Sequence, residues 1–249
     1  MSIPAFYLPP EKWGDEPDLD ESEARHCHVL RLKEGGEALL LDGKGRIAGC
    51  RITRMMKKSV SLRIVSEKFV PPPAARPTMA LALSKAVRRD FFMEKAAELG
   101  AWAIWLWDAR RGQGRLNEDL ARAVRGKLIA GIKQSHNPWL PETRVFRGAE
   151  DIISASANFD WKIQPWEKSD GVPMASPDRL GMAGDTIYVI GPEGGFDETE
   201  LELLAGAGFS AVSFGDRVLR CETAATLCLG LHWWASQLPG HPDFRRAEK

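Results

Sequence analysis

The sequence predicts an α/β protein in which a parallel sheet, covered by helices on both faces, follows a small β-barrel. Three observations predict it. Up to residue 70, short β-rich runs alternate with turn residues around one brief helix. Beyond residue 77, strand-like and helix-like runs alternate, the rhythm of a parallel sheet. Between them lies Phe69-Val70-Pro71-Pro72-Pro73-Ala74-Ala75-Arg76-Pro77, whose consecutive prolines favour an extended chain. The expected division is a barrel at 1–70, a proline-rich linker at 71–77 and a larger domain at 78–249.

In the first domain, Asp20-Glu21-Ser22-Glu23 resembles a capping box and opens a short helix reaching about Leu30. Strands are expected at 37–41, 46–53 and 59–65, separated by Asp42-Gly43-Lys44-Gly45 and Met56-Lys57-Lys58. In the second domain, strands are expected at 79–83, 102–107, 161–164, 186–190 and 211–214. Helices are expected at 88–99, 117–134, 197–205 and 222–238, the first ended by Gly100. Ligands of such sheets bind beyond the carboxyl ends of the strands, so function is sought in the loops after Ile190 and Phe214.

Composition narrows the field. Apolar residues at 44% and charged residues at 27% exclude a disordered or fibrous chain. No apolar run approaches the roughly 20 residues of a membrane helix, and the N-terminus lacks the pattern of an export signal, so the expectation is a cytoplasmic protein with no membrane partner. The four cysteines (Cys27, Cys50, Cys221, Cys228) form no Cys-x-x-Cys pair and the five histidines are dispersed, so no metal site is expected. Cys221 and Cys228 stand seven apart at helical spacing and read as core.

The net charge is zero, but its distribution is uneven. Residues 44–63 hold seven bases and no acid, residues 85–133 hold eleven bases and six acids, and residues from 150 onward hold sixteen acids and eight bases. That asymmetry fits a polyanion-binding face, and it equally fits a solvated basic surface.

Two loops carry chemistry. The first, Ile190-Gly191-Pro192-Glu193-Gly194-Gly195-Phe196, feeds the capping box Asp197-Glu198-Thr199-Glu200. Its glycines let backbone approach a ligand closely. A phosphate loop would end in Gly-Lys-Ser/Thr, and here Glu193 puts a negative charge in the phosphate's place, so a neutral or cationic ligand suits it better. A glycine-rich turn without chemistry would read the same way in isolation. The second is Phe214-Gly215-Asp216-Arg217-Val218-Leu219-Arg220-Cys221-Glu222-Thr223-Ala224-Ala225. Glu222 and Thr223 suit a first helical turn. Arg220, between Leu219 and Cys221, is expected in a partly buried loop, paired with Glu222 or presented to an anionic or charge-developing ligand.

The sequences GPEGGF and GDRVLRCETAA together resemble the signature of the RsmE family, SPOUT-superfamily methyltransferases acting on N3 of one uridine in 16S ribosomal RNA. Met93-Glu94-Lys95-Ala96-Ala97-Glu98-Leu99-Gly100 is similar to that family's first catalytic-domain helix, and Gln134-Ser135 to the end of its second. His28-Val29-Leu30-Arg31 with Asp42-Gly43 is similar to its PUA-like RNA-binding barrel. The resemblance spans essentially the whole chain. It implies a SPOUT-type parallel sheet with a C-terminal trefoil knot at about 161–238, S-adenosylmethionine as cofactor, and a homodimer with the active sites near its interface. Trp233-Trp234 could line that interface or fill an ordinary core position.

Carried onto this chain, the cofactor pocket comprises Ile190, Gly191, Glu193, Gly194 and Gly195, then Phe214, Gly215, Val218, Leu219 and Arg220, with Pro165 beside them. Uridine N3 carries a proton that must leave before its lone pair can attack, so a proton acceptor or stabilisation of the uracil anion is needed. Arg220 is expected to stabilise that charge, and Glu222 to orient Arg220 or accept the proton. RNA contacts are expected from Arg31, Arg46, Arg51, Arg54, Lys57 and Lys58 in the barrel, and from Arg88, Arg89 and Arg110 in the larger domain. The implied partner is 16S ribosomal RNA within the assembled or assembling 30S subunit.

Two positions depart from the family. Asp108-Ala109-Arg110 stands where Ser-Glu-Arg is usual, and Asn137 stands where an arginine is usual. Both bear on the substrate side, which leaves open a related methyltransferase with another target nucleotide, or a non-catalytic ribosome-binding protein that kept the fold.

Overall fold

The computed structural model describes residues 3–114, 119–166, 171–177 and 180–244. The chain forms two compact units, Met1–Pro72 with Ile129–Leu140, and Pro73–Leu128 with Pro141–Lys249.

In the first unit, β1 (Ala5–Tyr7), β2 (Asp18–Leu19), β3 (Glu37–Leu41), β4 (Arg46–Met55) and β5 (Val60–Phe69) form one sheet in the order β1-β3-β4-β5-β2. All neighbours are antiparallel except β1 and β3. Ala48, Cys50 and Ile52 alternate inward along β4 and meet Phe6, Leu40, Val60 and Leu62 in the core. Strand β5 outlasts the expected 59–65, because Ser66 to Phe69 keep pairing with β4 although their side chains are exposed. The helix α1 (Glu21–Val29) is capped by Asp20, which accepts from the backbone N–H groups of Ser22 and Glu23. Glu23 does not return the bond that would complete a capping box; it takes Lys133 Nζ at 2.8 Å.

The second unit contains β6 (Ala75–Ala82), α2 (Ala86–Glu98), β7 (Ala103–Trp107), α3 (Leu120–Ser135), β8 (Glu142–Phe146), α4 (Ala149–Ala155), β9 (Trp161–Trp166), β10 (Gly184–Ile190), α5 (Glu198–Gly206), β11 (Ser210–Ser213) and α6 (Cys221–Ser236). Residues of α3 from Ile129 onward group with the first unit. The expected start of α3, at 117, lies outside the described residues. The sheet has six strands in the order β11-β9-β10-β6-β7-β8, every pair parallel. Both faces are covered, which is why Ala103-Ile104-Trp105-Leu106-Trp107 is buried at every position. Helices α4 and α5 cover Trp105, Trp107, Ile187 and Val189, while α6 packs on β6 and β10 and against α2.

Strand β6 begins at Ala75, so the last three residues of the expected linker are sheet. Pro77 is tolerated there because its carbonyl, and therefore its missing N–H, points to the β7 side, where pairing begins only at Thr78 opposite Ala103. That carbonyl accepts from Trp102 N–H at 2.8 Å. Strand β8 and helix α4 had no counterpart in the sequence reading; β8 is a largely exposed edge strand and α4 spans seven residues, too little pattern to register. The strand order reverses between β6 and β10, placing the ends of β9, β10 and β11 where open α/β sheets hold ligands. Among the described residues, no helix is long and apolar enough to cross a membrane.

Candidate active site

A cavity of about 290 Å³ opens beyond the carboxyl ends of β9, β10 and β11. The two loops singled out in the sequence form its walls. Pro165 and Trp166 contribute from the end of β9; Ile190, Gly191, Glu193 and Gly195 from the first loop; Phe214, Gly215, Val218, Leu219 and Arg220 from the second. Cys221, Ala224 and Cys228 close it from one face of α6. Trp166, Phe196, Arg217 and Ala224 were not anticipated, although Ala224 was findable from its helical spacing to Cys221 and Cys228. Gly194 does not line the cavity but packs on Arg111, whose Cβ would stand 3.0 Å from an added Cβ.

The first loop is fixed from several directions. Gly191 lies beneath Phe196, and a Cβ there would meet the ring at 2.8 Å. Phe196 in turn stacks on Trp107, centroids 6.0 Å apart. Gly195 holds φ +70°, a left-handed conformation that suits glycine, and donates to the Pro192 carbonyl. Asp197 and Glu200 complete the expected capping box at the start of α5. Buried Glu200 also accepts the Arg110 backbone N–H at 2.9 Å. Arg110 pairs with Asp197 at 3.3 Å, Arg111 donates to the Phe196 carbonyl at 3.3 Å, and Arg88 reaches Glu193 at 2.7 Å.

The second loop is loosely held. Among the described residues, the side-chain hydrogen bonds at its start are those joining Ser213 and Gly215. Val218 is 83% exposed. Arg220 is the N-cap residue of α6, extended and exposed.

Two expectations are corrected. Arg220 is not in a partly buried loop and does not pair with Glu222, because as N-cap its backbone is extended and its side chain turns outward at the cavity mouth. Glu222, buried and off the cavity lining, instead accepts from the Cys221 thiol at 3.3 Å and faces Arg88 Nε at 3.8 Å. Glu193 is not a free carboxylate awaiting a cation, since Arg88 already balances it. The arginines expected to meet RNA in this unit also have partners within it: Arg88 with Glu193, half-exposed Arg110 with Asp197, and mostly buried Arg89 with Asp90.

Burial first, and the neighbouring Glu222 and Glu193 next, push the Cys221 thiol up to about 12, so it remains protonated and is no nucleophile. Between β10 and α6 lies a buried polar pair: Tyr188 of β10 lies 2.9 Å from Nδ1 of His232 on α6, and the Gly181 N–H donates to the same nitrogen. Burial lowers His232 to about 4, keeping the ring neutral. Among the described residues, no group of three metal-capable side chains is gathered.

In the first unit, Arg46 forms a paired contact with Glu67 at 3.0 Å and lies over Trp13, and Arg51 and Lys58 approach Glu37 and Glu21. Arg31, at φ +55°, and Arg54 and Lys57 are exposed, with no carboxylate partner among the described residues.

The pattern of the RNA methyltransferase domain family matches residues 71–233, and that of the RNA methyltransferase PUA domain matches residues 19–65. A ribosomal RNA small subunit methyltransferase E from Mycobacterium bovis is 30% identical over 226 residues, covering 85% of this chain and 84% of the relative. This chain belongs to the ribosomal RNA small subunit methyltransferase E family. The Bacillus subtilis member of that family is 25% identical over 87% of this chain and 89% of its own. The Neisseria gonorrhoeae member, solved bound to S-adenosyl methionine, superposes with a TM-score of 0.77 at 27% identity, over 95% of this chain and 97% of that one. A Legionella pneumophila protein solved with bound cofactor SAM gives a TM-score of 0.84 at 28% identity, over 94% and 98%. Family membership thus joins both units, and the departures at Ala109, buried in the core, and Asn137 fall within it.

Proposed function

We propose that this chain uses S-adenosylmethionine to methylate N3 of one uridine of 16S ribosomal RNA in the decoding region of the small subunit, within the assembled or assembling 30S particle. The observation that supports it most is the gathering of both motif loops around one cavity at the switch point of the sheet. The cavity suits the cofactor: at about 290 Å³ it is near the lower end of the ~300–1,000 Å³ range of small-molecule sites, and it combines apolar Ile190, Val218 and Leu219 with backbone bare of side chains at Gly191 and Gly195.

The bound cofactor supplies an electrophilic methyl carbon on a sulfonium. The protein's share is mostly placement, because displacement at carbon demands an in-line approach of the nucleophile. Ile190 and the glycines hold one side, and Phe214 to Leu219 the other. N3 must first give its proton to water for its lone pair to attack. Exposed Arg220 at the cavity mouth can then compensate the negative charge left on the uracil carbonyl oxygens. Glu222, turned toward Arg88 and Cys221, acts on the architecture rather than on the nucleotide.

Arg31, Arg54 and Lys57 are the cations of the first unit best placed to meet RNA phosphates. The reading includes a trefoil knot at about 161–238, a cytoplasmic location and a homodimer. Exposed Trp233 and Trp234 toward the end of α6, and exposed Val87 and Phe91 near the start of the adjoining α2, are apolar positions that support the dimer. Mass spectrometry of 16S RNA from cells lacking the gene tests the whole: one N3-methyluridine should disappear, and an unchanged modification profile would overturn the assignment.

A further inference from the structure

Arg88 occupies a position that neither its place in a basic segment nor its exposure explains. It lies in the first turn of α2, directly after β6, and its guanidinium reaches two carboxylates from distant parts of the chain. Nη1 donates to Glu193 Oε1 at 2.7 Å, and Nε faces Glu222 Oε1 at 3.8 Å. All three side chains are largely withdrawn from water, with 28%, 17% and 11% of the Arg88, Glu193 and Glu222 side chains exposed. Glu193 belongs to the first wall of the cavity, and Glu222 follows directly on the second, in the opening turn of α6. Without the guanidinium, two partly buried carboxylates would face one another, with the Cys221 thiol as the nearest hydrogen-bond donor to Glu222. Like charges so placed repel, and they would drive the walls apart.

We propose that Arg88 is a positioning residue of the site: its guanidinium clasps Glu193 of the glycine loop to Glu222 at the start of α6 and so sets the width of the cofactor cavity. The proposal rests on the reading of that cavity as the S-adenosylmethionine site. It reassigns Arg88 from contact with RNA phosphate to the internal geometry of the cofactor pocket. A planar guanidinium suits the task, because it presents separate N–H donors to two acceptors at once, whereas an ammonium would satisfy mainly the nearer one.

Calorimetric titration of S-adenosylmethionine into the full-length wild-type chain and into Arg88→Met, Arg88→Lys, Glu193→Gln and the Arg88→Met/Glu193→Gln double variant tests it, with a thermal melt of each to certify folding. Arg88→Met and Glu193→Gln should each weaken binding about tenfold, and the double variant should be no weaker than either single one, since both remove one shared contact. Arg88→Lys should fall between wild type and Arg88→Met, and it carries the test should Arg88→Met not fold. Losses that multiply in the double variant would overturn the clasp, as would a lysine variant as weak as Arg88→Met. Unchanged cofactor affinity in Arg88→Met, accompanied by weaker binding of a 16S RNA fragment, would return Arg88 to a phosphate role. Absence of binding by the wild-type chain would instead defeat the reading of the cavity and is told apart by that control.

Discussion

The two walls of the cavity are built on opposite principles. The glycine loop is anchored by Arg88, Arg110 and Arg111, by the Phe196–Trp107 stack and by a complete capping box. The loop from Phe214 to Arg220 has little side-chain anchorage and exposes Val218 and Arg220 to solvent. A preformed wall lowers the ordering cost of binding a small molecule, and an open one leaves room for a large substrate to approach. On the proposed reading the cofactor lies between both walls, and the open rim of the second, around Arg220, is where the nucleotide would approach.

If that division holds, the largest effect on activity should come from the open wall. Arg220→Ala should lower the methylation rate by about 10²- to 10³-fold, the range for loss of one charge-stabilising donor, with cofactor affinity nearly retained. Transfer of radiolabelled methyl to 30S subunits, paired with calorimetry, separates the two, and undiminished methylation would erase the contrast.

Outside both walls, between β10 and α6, a fall in pH should act through stability. His232 is held near 4 in the folded protein against an ordinary 6.5, so between those values the unfolded chain binds a proton that the folded one refuses. Stability is therefore complete above about pH 6.5 and should decline as the pH falls toward 4, by on the order of 3 kcal/mol from this group. Urea melts across that interval should show the decline, and His232→Phe should flatten it.

Side-chain changes sharpen the comparison further. Gly191→Ala must push Phe196 off Trp107 and should cost about 1–3 kcal/mol in thermal or chemical melts, with loss of cofactor affinity. Val218→Ala on the open wall should shift stability by no more than about 0.5 kcal/mol. The smallest local effect belongs to the outer face of α6, where Trp233→Lys should leave folding intact but move the sedimentation coefficient from dimer to monomer.

Much of this was legible in the sequence, for identifiable reasons. Strand β3, the parallel rhythm of the second unit and the Asp197–Glu200 capping box follow from local periodicity and spacing, which the chain carries in short windows. Both cavity loops were findable because they follow strands and carry dense glycine and charge. The internal partners of the basic residues were not legible. Arg88, Arg89 and Arg110 lie in a segment richer in bases than acids, yet each is paired, two of them with acids about ninety or more positions away. Charge asymmetry along a chain can reflect complementarity inside a domain as readily as a surface for RNA. Strand β8 escaped for a different reason: as an exposed edge strand it buries too few side chains to leave a pattern.

The most direct test of the cavity assignment is equilibrium dialysis or calorimetry of S-adenosylmethionine with the wild-type chain beside the Gly191→Val variant, whose side chain would intrude on Phe196 and the cavity wall. The wild type should bind saturably, one molecule per chain, and the folded variant should not. Equal binding by both, or none by the wild type, would contradict the assignment of the cavity between these two loops to the cofactor.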